Sequence, residues 1–304
     1  MPPVARSAAA LAAAALTFNA FTWGVSWWPF RHLQAQGLHA LWATALIYAI
    51  AVLVLTLSRP AAWRELLRTP SLWVLVIASG TTNASFNWAV TIGDVVRVVL
   101  LFYLMPAWSV LLAWRFLGEV PTPLALLRLL LAFGGVVLVV LPPGMPLTQL
   151  AQGLSPVDLL AVAGGFAFAL TNVTLRRLHQ VPEQARMLAM FGGGALMAAL
   201  VAVLGMAVGI VTPVPAVAIG WVLVALGLTL AFLLGNYALQ YGAARLAAGT
   251  TALVMLTEVV FASTSSWLLD AAALQLRTLA GGACIMLAAL LAVVPARRRL
   301  TQTG

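Results

Sequence analysis

The stretch NWAVTIG runs from Asn87 to Gly93, and NYALQYG runs from Asn236 to Gly242. Both place an Asn, an aromatic residue, an Ala and a final Gly at the same spacing. Three further correspondences follow in the same order along the chain. LFYLMPAWSVLLAWRFLGE (101–119) pairs with LVMLTEVVFASTSSWLLD (253–270), Gly134-Gly135 with Gly281-Gly282, and TWGVSWWPFR (22–31) with AFALTNVTLR (167–176). Four matches in one order point to an internal duplication rather than to chance likeness among Leu-, Ala- and Gly-rich segments.

Composition fixes the solvent of both copies. The chain has 304 residues, 63% hydrophobic and 8% charged, with a mean hydropathy of +1.05. A soluble domain carries about 25% charged residues, so these few charges could not cover a surface facing water. Apolar runs of helix-spanning length fall near 8–30, 38–57, 71–92, 95–114, 124–141, 157–175, 187–211, 216–240, 246–269 and 274–294. About 20 apolar residues cross a bilayer as a helix, and the sequence predicts ten such crossings. The first run follows one Arg, as in a signal peptide, but it continues to Phe30 and reads as a transmembrane helix.

The net charge of +9 does not indicate nucleic acid. All sixteen basic residues are Arg, scattered between apolar runs. With the N-terminus inside, thirteen of them face the cytoplasm, and only Arg31, Arg97 and Arg277 face outward. The positive-inside rule then places both termini in the cytoplasm. Trp27, Trp28, Trp63, Trp73 and Trp221 lie near span ends, where most are expected to form an aromatic belt.

Five spans is an odd number, so the second copy enters the membrane from the opposite side. The expected architecture is all-α: ten transmembrane helices as two inverted five-helix repeats, 8–141 and 157–294, around a central cavity. Inverted repeats are common in secondary transporters, with the substrate site near the midplane between them.

The TWG of span one, the Asn-Trp-Ala, Pro106 and Leu-Gly-Glu elements of spans three and four, and the Gly-Gly of span five resemble the EamA domains of the drug/metabolite transporter superfamily. The resemblance covers nearly the whole chain and is nearest to YddG-type aromatic amino acid exporters of the bacterial inner membrane. It implies export of amino acids, aromatic ones above all, by alternating access. The second copy departs from the pattern: Val259 stands where Pro is usual, and Asp270 replaces the Gly-Glu ending. Span nine therefore lacks the sequence signal for a broken helix.

Polar groups inside lipid need internal partners. In span three, Ser79, Asn83, Asn87 and Thr91 recur every four residues and share one stripe, flanked by Trp88. Span eight adds Asn236, Tyr237 and Gln240, span one Asn19, Thr22, Trp23 and Ser26, span four Tyr103, and span six Thr171 and Asn172. Bonds across helix interfaces are one reading, worth about 0.6–2 kcal/mol each. A polar path is the other. Mid-depth rings such as Trp23, Trp88, Tyr103 and Trp108 serve either for packing or for stacking a flat substrate.

Glu258 lies near the middle of span nine, the one carboxylate so placed, with no Arg at its depth. A charge there costs about 2.5–3.5 kcal/mol on insertion scales. It suits a proton carrier or a counter-charge for a substrate amine; a structural hydrogen bond is the alternative. The expected substrate-binding residues are Trp23, Asn83, Asn87, Trp88, Tyr103, Asn236, Tyr237 and Glu258, with the bilayer, an amino acid and protons as partners and no cofactor.

Enzyme motifs are missing: no H-E-x-x-H, no G-K-S/T loop and no G-x-S-x-G occur. The lone Cys284 excludes a disulfide within the chain, and the three histidines lie in or beside loops, on two sides. Two other functions remain open from the residues alone. One is efflux of hydrophobic cations, which a lone Glu258 would suit. The other is a non-transporting membrane partner, with Gly205-x-x-x-Gly209 as a dimer face.

Overall fold

The computed structural model describes residues 3–118, 120–140, 153–178, 180–243, 245–246, 254–269 and 275–293. Glu119, Asp270 and Arg297 to Arg299 lie outside them, as do the side chains of Pro106 and Gln240. Among the described residues every regular element is a helix. These are α1 (Pro3–Val25), α2 (Trp27–Ala35), α3 (Ala40–Ser58), α4 (Ala61–Arg68), α5 (Ser71–Ile92), α6 (Val95–Phe102) and α7 (Met105–Leu117) in the first half. They continue with α8 (Pro123–Val140), α9 (Pro156–Arg177), α10 (Glu183–Ala207), α11 (Ile219–Ala243), α12 (Thr257–Leu268) and α13 (Leu276–Val293).

A helix lies in each expected apolar run. Five are long and apolar enough to cross a membrane: α3, the α6–α7 pair taken together, α9, α10 and α11. Helices α8 and α13 are shorter apolar helices. Helix α4 was not expected. It is amphipathic, with Ala62 and Leu66 packed on Leu72, Leu178 and Ala185 while Arg64 stays exposed.

Eight helices pack in a closed circuit: α1 on α11, α11 on α3, α3 on α10, α10 on α5, α5 on α9, α9 on α6, α6 on α12, and α12 back on α1. Helices α8 and α13 pair with each other beside it. Small residues allow the close crossings. A methyl group added at Gly193 would strike the Val76 carbonyl, and one at Gly165 would lie 2.5 Å from the Phe102 carbonyl oxygen. Gly135 and Gly281 face each other across α8 and α13, where a Cβ on either would lie 2.5–2.6 Å from the other's carbonyl oxygen.

The matched stretches also make matched contacts. Gly93, which ends the first, abuts Val157; Gly242, which ends the second, abuts Ala12 and Leu16. Ala12 and Val157 each stand ten residues before the corresponding Thr22 and Ala167. Both broken spans break at the same register. Leu104 and Leu256, the fourth residues of their stretches, are turns, and tight i to i+3 bonds follow at Ala107 (2.9 Å) and Val259 (3.2 Å). Span nine thus breaks without a proline, with a short Thr257 hydroxyl bond to the Val254 carbonyl (2.6 Å) beside the turn.

Two expectations are corrected. Trp27 and Trp221 are buried at 3% and 8% exposure, so they are not belt residues. Their indoles instead donate to Ser265 Oγ and to the Ala216 carbonyl, each at 3.0 Å. Gly205-x-x-x-Gly209 is a helix ending rather than a dimer face. Gly209 has φ +74°, its N–H bonds the Met206 carbonyl, and the Ile210 N–H reaches the Gly205 carbonyl. That pair of bonds closes a helix with a left-handed glycine.

One ion pair occurs among the described residues. Arg97 grips Asp158 with Nε to Oδ1 at 2.7 Å and Nη2 to Oδ2 at 2.8 Å, and also donates to the carbonyls of Val139 and Gly153. It ties the starts of α6 and α9 to the end of α8.

The glycine contacts carry a direct test. Gly135→Leu drives a side chain into the Gly281 backbone and should destabilise the fold by about 1–3 kcal/mol, seen as a lower melting temperature in detergent. Gly134→Leu, whose added Cβ meets nothing within 4 Å, should melt like the parent.

Candidate functional site

A cluster of aromatic rings packs inside the circuit. Trp23 of α1 stacks on Phe232 of α11 with centroids 4.7 Å apart and planes 18° apart, and meets Phe86 of α5 edge-on at 6.3 Å. Phe86 packs on Phe102 at 4.7 Å. Tyr48 of α3 lies 6.1 Å from Phe232 and 5.5 Å from Phe191. Six of the eight circuit helices therefore send a ring to one connected cluster.

Polar groups punctuate this surface. The Tyr103 hydroxyl lies 3.0 Å from Glu258 Oε2 and 3.2 Å from the Met255 carbonyl oxygen. Its single proton can serve one of these at a time. It donates to a charged Glu258, or turns to Met255 and accepts from a protonated one. Both side chains are buried, at 2% and 8% exposure. The Tyr48 hydroxyl donates to Asn83 Oδ1, and Asn83 Nδ2 donates to the Ser79 carbonyl at 2.8 Å.

The two ends of the interior differ. At one end Arg31 of α2 donates Nε to the Thr91 carbonyl at 3.1 Å and Nη2 to the Gly93 carbonyl, with its guanidinium 4.9 Å above the Trp27 ring. Helix α2 also packs on α3, α5 and α11 and closes this end. At the other end lies a cavity of about 310 Å³. It is lined by Leu175 of α9, by Glu183, Arg186, Met187 and Met190 of α10, and by Asn236 and Leu239 of α11. Helices α9, α10 and α11 sit at separated places in the circuit, so a space bounded by all three opens into its middle.

The eight expected site residues separate accordingly. Trp23, Tyr103 and Glu258 meet at or around the aromatic cluster, Asn83 joins it through Tyr48, and Asn236 stands in the cavity. Asn87 is fully buried and bonds Thr44 Oγ1 at 3.1 Å, a tie between α3 and α5. Trp88 turns away from the interior, 5.5 Å from the His39 ring, and borders a separate cavity of about 130 Å³ with Thr81, Ser85 and Met197. Tyr237 is 71% exposed on the outer side of α11, about a quarter turn from Asn236. Trp108 packs edge-on against Phe133 and Phe166.

Sequence reading missed Tyr48, Phe86, Phe102, Phe232, Arg31 and Arg186. Tyr48 carried a usable signal, as the one hydroxyl-bearing ring in span two. The phenylalanines carried none, since a phenylalanine facing lipid and one packed inside the bundle look alike.

Known proteins agree with this architecture. Residues 10–141 match the family model of the EamA-like transporter family. Over 90 residues the chain is 38% identical to an uncharacterized transporter of Pseudomonas aeruginosa, a stretch covering 28% of this chain and 30% of that protein. A solved structure, titled only as the crystal structure of a protein, overlays with a TM-score of 0.59 at 21% identity, across 94% of this chain and 97% of that one. At that identity the overlay establishes a shared fold. Residues 10–141 are thus similar to a family of transporters.

The Tyr103 contact predicts a graded loss. Tyr103→Phe removes a buried hydrogen bond and should lower stability by about 0.6–2 kcal/mol, read as thermal unfolding in detergent. Tyr237→Phe, at the exposed position, should leave the transition unchanged.

Proposed function

We propose that the chain is a secondary transporter that exports amino acids, aromatic ones above all, from the cytoplasm by alternating access of two inverted five-helix halves, 8–141 and 157–294. The observation that carries this reading is an aromatic cluster beside one carboxylate inside the bundle, with a cavity of about 310 Å³ at one end of the bundle and Arg31 at the other. Aromatic faces suit a flat side chain and an ammonium group. Glu258 supplies the counter-charge or exchanges a proton for the substrate, and the two-way Tyr103 hydroxyl accommodates either form.

The inverted relation gains support from the packing. Number the apolar runs one to ten and exchange one with six, two with seven, three with eight, four with nine and five with ten. The helix circuit then maps onto itself, and so does the α8–α13 pair. The paired contacts of Gly93 with Val157 and Gly242 with Ala12 follow the same exchange. In this reading both termini are cytoplasmic in a bacterial inner membrane, Arg31 closes the outer end, and the 310 Å³ cavity opens to the cytoplasm. The opposite state forms when the halves trade conformations. Arg176, the counterpart of Arg31, then takes the carbonyls of Gln240 and Gly242, the counterparts of Thr91 and Gly93.

A second reading, efflux of hydrophobic cations, is favoured by one observation. Glu258 accepts from Tyr103, and among the described residues no arginine pairs with it. Counterflow in proteoliposomes, with phenylalanine, tryptophan and a panel of hydrophobic cations at two pH values, separates the two. Flux of the amino acids is expected; flux of the cations alone would replace this reading with the second. Glu258→Gln should slow amino acid flux about tenfold, the loss of about 1.4 kcal/mol of charge-assisted contact, and flatten its pH dependence. Transport at the parent rate with the parent pH profile would remove Glu258 from the mechanism.

Arg31→Ala should favour the outward-open state. A cysteine placed at Ser265, in a Cys284→Ser background, should then react faster with a membrane-impermeant thiol reagent added outside. An unchanged rate would refute the seal.

A further inference from the structure

The open end of the interior holds two opposite charges that do not pair with each other. Glu183 and Arg186 stand three residues apart in the first turn of α10, and both line the 310 Å³ cavity. Residues at that spacing have Cβ atoms about 5–6 Å apart, close enough for an ion pair, yet the Arg97–Asp158 pair is the one formed among the described residues. Arg186 Nε is buried and has no hydrogen-bond partner. Asn236 faces the same space from α11, and Met187, Met190, Leu175 and Leu239 make the remaining lining apolar.

Each class of ligand can be set against this lining. A lone cation would satisfy Glu183 and leave Arg186 unpaired. A lone anion would do the reverse. A polyanion meets net neutrality and a largely apolar wall. A molecule with both charges at one end and an apolar group at the other satisfies every element. The start of α10 adds the positive end of a helix dipole for a carboxylate. Methionine side chains reshape around different apolar groups, and the volume suits one small ligand.

From this geometry we infer that the cavity is a loading site for a zwitterion. Arg186 binds the carboxylate, Glu183 the ammonium, and Met187 and Met190 the apolar side chain, before the ammonium moves on to Glu258. The inference rests on the amino acid exporter reading and deepens it, by naming the group that holds the carboxylate.

Calorimetric titration of the purified full-length chain tests it, using phenylalanine, phenethylamine (no carboxylate) and 3-phenylpropionate (no ammonium). Arg186→Gln should weaken phenylalanine and 3-phenylpropionate about tenfold or more, the scale of one charge-assisted contact, and leave phenethylamine unchanged. Glu183→Gln should weaken phenylalanine and phenethylamine and spare 3-phenylpropionate. Arg186→Lys, which keeps the charge, should recover most of the affinity. Parent-like binding of all three ligands by Arg186→Gln overturns the site, and so does equal weakening of all three, which marks a merely structural role. If the parent moves phenylalanine in counterflow while the variants bind like the parent, the site alone is wrong. If the parent neither moves nor binds phenylalanine, the exporter reading falls and the site with it.

Discussion

Hydrocarbon satisfies no hydrogen-bond donor and no acceptor. For a chain this apolar, that single constraint decides where each polar atom goes. Serine and threonine hydroxyls within the spans mostly fold back onto the carbonyl four residues earlier, as Thr22, Thr44, Ser79, Thr82 and Thr91 do. Groups that cannot close a bond within their own helix reach across to another. Asn87 reaches Thr44, Asn19 the Gly235 carbonyl at 2.8 Å, and Tyr103 the Glu258 carboxylate. Each such bond fixes two helices relative to each other. The same atoms that make the bundle soluble in lipid therefore also set its packing.

Glycine does the complementary work. Where α8 meets α13, and where α5 meets α10, missing side chains bring backbones into contact and dispersion replaces the hydrophobic drive that lipid cannot supply. Large rings from α1, α3, α5, α6, α10 and α11 pack together between the helices.

Much of this was legible in the sequence. Apolar runs of about 20 residues locate helices because a bilayer fixes their length, and the two Asn-aromatic-Ala-Gly stretches end in glycines that make similar close contacts, Gly93 with Val157 and Gly242 with Ala12. Glu258 stood out because a mid-span acid is expensive. Three things were hidden. The direction of a ring is invisible when both lipid and the packed interior welcome it, so Phe86, Phe102 and Phe232 escaped notice while exposed Tyr237 was selected. The break in span nine has no proline and arises from a turn at Leu256. Trp27 and Trp221 sit near span ends, as belt residues would, but neighbouring helices cover them.

The Arg97–Asp158 clamp has no equivalent at the matching positions of the second half. Shifting each residue by the register of its repeat arrives at Leu246 and Ala13. The joint between α6 and α9 is thus riveted by a two-pronged ion pair, whereas the corresponding joint between α12 and α1 rests on the close approach of Gly24 to the backbone of Glu258. The two joints therefore differ in kind: a charged pair holds one, and close backbone packing holds the other.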